Sequence, residues 1–425
     1  MLFLILLLLI GCEGYLNNWF PVVPISSTNF NNPRQLRILG KDLVLWKKDE
    51  KYIIQDDVCP HRCAPLSEGY IDKESKNLRC AYHGWEFNEK GSCENIPQAS
   101  INYKYSKKSC LKNYETCNYG DLIWVYLGNE EIKKYPKDMY ELNGEVFMRE
   151  LPIGINILLE NFFDPAHVPI AHHKLQGLRE RAKPIRINLV DNSSEKFSIM
   201  FNETDGKMIE RLGIMTFTKP VLYTIESLKV NTNLNLISGI NIFAVPIQKD
   251  STRLFVQYNF NRTNNNYKLY ELIPTWIKHV FLNKFLDSDT YILHKQEKHI
   301  LKDKSYHEND KYFMPTSSDK SIMLYKKWMK ENIPEIPYFN NYENDILTRE
   351  EALNIYKQHT KDCIHCNNAY NNIKSAQLGC QILFLILSIK TDNINLIFLS
   401  IMSYFVLEKI KNKFLFEDYL HNEVD

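Results

Sequence analysis

The sequence predicts an α+β chain: an N-terminal all-β domain, a helix-on-sheet domain behind it, and a C-terminal hydrophobic helical hairpin. Three observations predict this. Short apolar stretches broken by turns run from Trp19 to about Gly128. Longer strand-like runs and one long helical pattern follow, up to about residue 345. Two uncharged apolar runs then close the chain.

The elements follow in order. Leu36–Leu39, Leu43–Trp46, Tyr52–Ile54 and Leu122–Leu127 read as short strands of a domain over 16–128. Over 129–345, Leu158–Ala171 reads as one helix, and Ile240–Ile247 and Leu254–Phe260 read as long strands. Pro274–His299 reads as a long helix with Trp276, Val280, Phe281, Phe285, Ile292 and Leu293 at core spacing. A segment over 346–374 carries a C-x-x-C, and 375–425 holds the hairpin and tail. Its apolar runs are Ser375–Ile389 and Asn393–Leu407, each shorter than the roughly 20 residues of a full span. Lys374 precedes the pair and Lys409, Lys411 and Lys413 follow it, which suits a hairpin anchor with both outer ends on one side. A buried hairpin in a soluble domain is the alternative. Truncation after Tyr370 is expected to leave a soluble protein.

The chain has 425 residues, enough for two domains, and its 52 basic and 51 acidic residues make no field for nucleic acid. Residues 1–15 are an apolar leader ending in Leu9-Ile10-Gly11-Cys12. It suits a signal-peptide core without the basic start, a lipidation box, or an incomplete gene start equally, so this end leaves localisation open. Ten cysteines in a chain of this size point to metal or redox chemistry rather than a disulfide scaffold.

Cys59-Pro-His61 and Cys80-Ala-Tyr-His83 supply two thiolates and two imidazoles. A Rieske [2Fe–2S] centre uses this set, with two cysteines on one iron and two histidines on the other. Zinc also accepts Cys₂His₂, but zinc fingers pair like with like along the chain, whereas here each loop carries one of each. The eighteen residues between His61 and Cys80 leave room for a turn between the loops.

Asp57-Val-Cys-Pro-His-Arg-Cys-Ala-Pro-Leu-Ser-Glu-Gly69 and Cys80-Ala-Tyr-His-Gly-Trp-Glu-Phe87 resemble the Rieske domain of ring-hydroxylating oxygenases. The cytochrome-complex Rieske proteins would have a cysteine where this chain has Tyr82, which leaves Cys63 unpaired and read as a small packed residue.

A second metal set follows. Glu160-Asn-Phe-Phe-Asp-Pro-Ala-His-Val-Pro-Ile-Ala-His172 places Asp164, His167 and His172 on one apparent helix, which Pro169 can break so that the histidines converge. A mononuclear non-haem Fe(II) centre takes two histidines and one carboxylate. The resemblance carries both histidines over to His167 and His172, with His173 as the neighbouring alternative. It also implies a later aspartate seven residues before a Gln or Glu. Leu286-Asp-Ser-Asp-Thr-Tyr-Ile-Leu-His-Lys-Gln-Glu297 then selects Asp289 with Gln296, with Asp287 as the fallback. The resemblance further implies that Asp164 bridges a cluster histidine and an iron histidine across a subunit boundary in a homo-trimer.

Gly91–Ala99, His172–Gly177, Tyr312–Asp319 and the terminal Cys363-Ile-His-Cys366 with its apolar hairpin resemble one branch. This branch comprises pheophorbide a oxygenase and its plastid relatives, the chlorophyllide and protochlorophyllide a oxygenases and the translocon Rieske protein. It implies an O₂-dependent oxygenase of a chlorophyll-derived tetrapyrrole, anchored in a plastid envelope or thylakoid membrane. Cys363 and Cys366 are then a thioredoxin-responsive pair, with half a zinc site or an inert pair as alternatives. Electrons come from a separate ferredoxin or reductase, since no Gly-rich nucleotide fingerprint is present. Phe162, Phe163, Trp276, Phe281 and Tyr291 are candidate walls of a wide apolar pocket. A sterol or lipid oxygenase and a non-catalytic redox component of a membrane complex are the other readings.

Overall fold

The apolar stretches of the N-terminal half form antiparallel strands, and those of Trp19–Pro24 and Leu122–Tyr126 are buried at every position. In the computed structural model, residues 15–100, 106–204, 209–229, 235–260, 271–302, 312–333, 335–339, 345–390 and 394–422 are described. Of the leader 1–15, residues 1–14 lie outside them. Arg34–Ile38, Lys41–Lys48, Lys51–Asp56 and Asn113–Tyr114 make one sheet, and Trp19–Pro24, Leu122–Tyr126 and Thr116–Tyr119 make another. Four short strands from Tyr70 to Asn95 form a third sheet, which holds the second ligand loop.

The following domain is built on a seven-stranded antiparallel sheet. Phe147–Leu151 lies at one edge beside Ser251–Phe260, and the order runs on through Asn235–Gln248 to Ile185–Asn192 at the far edge. Phe197, Ile199 and Phe201, on one face of the strand Lys196–Thr204, are buried and define its covered face. Two helices lie on it: α1 (Ile155–Phe162) and the later Lys320–Asn332, whose Tyr325 and Trp328 pack on Phe163 and Phe197. The two domains are tied by backbone bonds, Leu39 N–H to Pro246 O at 2.8 Å and Gly40 N–H to Ile247 O at 2.6 Å.

The long helix spans Thr275–Lys302; of the residues expected at core spacing Leu293 is buried and Trp276 and Val280 pack on a core cluster, but the inner face is otherwise largely polar. Phe281 is 67% and Ile292 49% exposed, while His279, Asn283, Asp287, Thr290, His294 and Glu297 are buried. These six recur every three or four residues, so one helix face is a buried polar stripe. Such a stripe is tolerated only where every group finds a partner. Arg149, fully buried, provides several: its guanidinium pairs with Asp287 at 2.5 Å and donates to the Asn283 Oδ1 and carbonyl at 3.1 Å.

The hairpin forms as expected from helices Ile364–Lys390 and Ile394–Asn412. The first is long and apolar enough to cross a membrane, and large apolar side chains on both, such as Ile389, Ile394 and Leu399, are exposed. The chain then returns to the catalytic domain, contrary to the expectation that it can be cut after Tyr370. Phe414 is buried against Trp276, Arg349 pairs with Asp418 at 2.7 Å, and the Tyr419 hydroxyl donates to the His173 carbonyl. Truncation there would strip these contacts from the fold.

Candidate metal centres

The first ligand loop follows the strand Lys51–Asp56. Asp57 anchors it by accepting from the Ser67 backbone N–H at 2.7 Å and its hydroxyl at 2.6 Å. Cys59 N–H donates to Ala64 O at 2.8 Å, closing the loop, and Cys80 N–H donates to Trp85 O at 2.9 Å, closing the second. Gly69 lets the loops approach: a Cβ there would lie 2.1 Å from the Arg79 carbonyl oxygen.

This packing brings Cys59, His61, Cys80 and His83 together. The thiols of Cys59 and Cys80 are buried side by side, and the imidazoles of His61 and His83 face one another with ring centroids 4.5 Å apart. His61 stacks on Trp85 at 4.8 Å, which holds its ring plane. Burial pushes the Cys59 thiol up to about 12, and the neighbouring Cys80 adds to the shift. Such a pair ionises only beside a strong positive charge, so the donor set fits a [2Fe–2S] cluster, which the buried Cys59 and Cys80 and the more exposed His61 and His83 would hold. Cys63 is not packed: it is exposed, at a left-handed φ of 57°. It turns the chain after the ligands.

The second centre departs from the expected single helix. α1 ends at Phe162, and a second helix, α2, spans Val168–Ala171. The break falls at Asp164-Pro165 rather than at Pro169, because Pro165 has no N–H to continue the helix. Pro169 sits in the first turn of α2, where its missing N–H would have had no partner anyway. The break turns His167 and His172 toward each other, with Nε2 atoms 3.3 Å apart. Gly177 packs behind them, where a Cβ would lie 2.6 Å from Pro169 Cα.

Asp289 completes the set from the long helix. Its Oδ2 lies 3.2 Å from His172 Nε2 and 3.6 Å from His167 Nε2, so all three ligand atoms surround one point. Burial alone would push the Asp289 carboxyl up, but the His172 contact and the charges of His167 and His172 hold it below the usual range. A carboxylate and two imidazoles around one point are the donor set of a mononuclear iron(II) centre.

The alternatives go elsewhere. Asp287 is engaged by Arg149, and burial pushes its carboxyl up to about 6. His173 Nδ1 accepts from Arg179 N–H, and Gln296 is exposed. Asp164 reaches His167 through its backbone carbonyl, which accepts from Nδ1, and leaves its carboxylate partly exposed beside the ring.

Sequence reasoning missed Ser288. Its hydroxyl donates to the Phe285 carbonyl at 2.6 Å and lies 2.7 Å from His172 Nδ1, so it accepts the Nδ1 proton and leaves Nε2 free for metal. Phe285 stacks on the same ring at 3.9 Å. The aromatic residues expected to wall one pocket are dispersed: Phe163 is core, Trp276 packs on Phe414 and Phe281 faces outward.

Known families match both halves. Residues 18–115 match the Rieske [2Fe-2S] domain and residues 217–306 match the pheophorbide a oxygenase domain. Pheophorbide a oxygenase, chloroplastic, of Arabidopsis thaliana is 28% identical over 96% of this chain and 84% of that protein. Flavonoid 8-hydroxylase 2, chloroplastic, of Ocimum basilicum is 29% identical over 87% of this chain and 76% of that protein. Dicamba monooxygenase bound to dicamba superposes with a TM-score of 0.58 at 14% identity, over 75% of this chain and 98% of that one. With the cluster loops and the His167, His172 and Asp289 geometry, the two domain matches and the curated relatives make the chain a Rieske-type non-haem iron oxygenase similar to pheophorbide a oxygenase.

Proposed function

We propose that this protein uses O₂ and externally supplied electrons to oxidise a chlorophyll-derived tetrapyrrole of the pheophorbide a or chlorophyllide a kind. The observation that carries this is the joint match of one chain to the Rieske domain and to the pheophorbide a oxygenase domain. Bound in these sites, the two iron centres supply one-electron delivery and O₂ activation.

The chain's residues divide the remaining work. Cys59, His61, Cys80 and His83 hold the cluster, and the exposed His61 edge is where a ferredoxin or reductase docks. His167, His172 and Asp289 hold the mononuclear iron. Asp164 keeps its partly exposed carboxylate beside His167, where it can accept a proton from a cluster histidine of a neighbouring protomer in a trimer. The reading includes attachment to a plastid membrane through the apolar hairpin, supported by its exposed Leu, Ile and Phe side chains and by the chloroplastic relatives.

The test supplies reduced ferredoxin, O₂ and either pheophorbide a, chlorophyllide a, a sterol or a flavone, and follows O₂ uptake with the product spectrum. The flavone arm is included because the flavonoid hydroxylase relative is as similar to this chain as the pheophorbide oxygenase is. Turnover of a tetrapyrrole is expected. Turnover of the flavone or the sterol alone would overturn the substrate while keeping the oxygenase.

A further inference from the structure

Outside the two iron centres, His279, His359, Cys363 and Cys366 bring their ligand atoms within 4.8 Å of one another, all four buried. They come from three places. His279 is in the second turn of the long helix, His359 lies in the segment Tyr356–Thr360, and Cys363 and Cys366 open the first hairpin helix. We infer that this cluster is a structural zinc site.

The distances fit a single tetrahedral ion. Zinc binds thiolate at about 2.3 Å and imidazole at about 2.0 Å, so a tetrahedron places sulfur and nitrogen about 3.5 Å apart. Cys363 Sγ and Cys366 Sγ each lie 3.5 Å from His279 Nδ1, and Cys366 Sγ lies 3.2 Å from His359 Nε2. A [2Fe–2S] cluster would need its ligands spread around two irons. The His359 ring is also preset: its Nδ1–H donates to the Met148 carbonyl at 2.6 Å, which leaves the Nε2 lone pair facing the sulfurs.

Charge supports the same ion. Zinc(II) displaces one proton from each thiol to solvent, and the dication with two thiolates and two neutral imidazoles sums to zero. A neutral centre is what a buried site tolerates. With four protein donors and no open position, the site is structural rather than catalytic.

A thioredoxin-exchangeable disulfide fits less well. An external dithiol must reach one sulfur of the pair, yet Cys363 is 4% and Cys366 1% exposed. The zinc site instead clamps the root of the membrane hairpin to the helix that carries Asp289, ten residues after His279. Arg149 joins the same region, since it binds Gln358 beside His359 as well as Asp287. This inference is independent of the substrate, and it stands or falls separately from the oxygenase reading.

Holoprotein purified without chelators is the material for the test. Zinc and iron are counted by inductively coupled plasma mass spectrometry, and zinc K-edge absorption spectroscopy reads the ligand shell. One zinc per chain with two sulfur and two nitrogen neighbours is expected. In Cys363→Ser/Cys366→Ser the zinc is expected to disappear while the cluster EPR signal persists. Because the first two measurements use the unaltered chain, misfolding of the variant cannot decide the matter. Absence of zinc, with the pair found by thiol counting either free or disulfide-bonded, would overturn the site. So would zinc in a shell without sulfur, or iron in excess of the cluster and the mononuclear centre.

Discussion

Replacing Ser288 by alanine tests whether the iron histidines are held by second partners. His172 is 1% exposed, and the Ser288 hydroxyl is the group at its Nδ1. In Ser288→Ala the buried N–H loses its acceptor, which costs about 1–3 kcal/mol, and the ring is free to rotate away from Asp289. Loss of such a partner typically lowers metal affinity about 10–100-fold, or about 1.4–2.7 kcal/mol, so the two routes to the magnitude agree. Anaerobic iron(II) titration of protein lacking the mononuclear metal reads the affinity, and the reduced-cluster EPR signal is the internal control. The expected result is weaker iron binding by one to two orders of magnitude with an unchanged cluster signal. Ser288→Thr, which keeps a hydroxyl, should recover most of the affinity. Unchanged affinity in Ser288→Ala would refute the orienting role. Loss of both metals would show a general fold defect instead.

Asp164→Asn should retain both iron centres by metal analysis but stop turnover, and single-turnover kinetics with unchanged cluster-to-iron transfer would remove the bridging role. Arg149→Leu should destabilise the catalytic domain by about 3–5 kcal/mol in urea denaturation, because it leaves Asp287 buried without its partner. Asp287 is raised to about 6 from its ordinary value of 3.8, so its proton-linked stability is present below that ordinary value and is lost as pH rises through the raised one. Removing Arg149 raises it further, so the deficit should be larger at about pH 8 than at about pH 5. Excising Leu378–Leu407 and linking Gln377 to Glu408, whose side chains bond at 2.7 Å, should give a soluble protein that keeps the returning tail. Fractionation after an alkaline carbonate wash checks this, and an excised protein still found in membranes would count against the hairpin as anchor.

Parts whose partners are near neighbours in the chain are legible in the amino-acid order alone. Cys59 with His61, Cys80 with His83, and His167 with His172 each lie within five residues, so short motifs carry their chemistry. The hairpin was equally legible, because an uncharged apolar run shows in composition alone. Features that depend on distant partners emerge only once the chain is folded. Ser288 meets His172 across 116 residues, and His279 meets Cys363 across 84, with no periodic signature to announce either. The same limit explains the long helix. Apolar spacing predicted that Phe281 and Ile292 face inward, yet the buried stripe is His279, Asn283 and Asp287. Periodicity assigns the oily face to the core, and it fails where Arg149, metal ligands and backbone carbonyls from elsewhere satisfy a polar one. The return of Phe414 and Tyr419 to the catalytic domain belongs to the same class. Their burial is set by Trp276 and His173, residues the chain reaches only after folding.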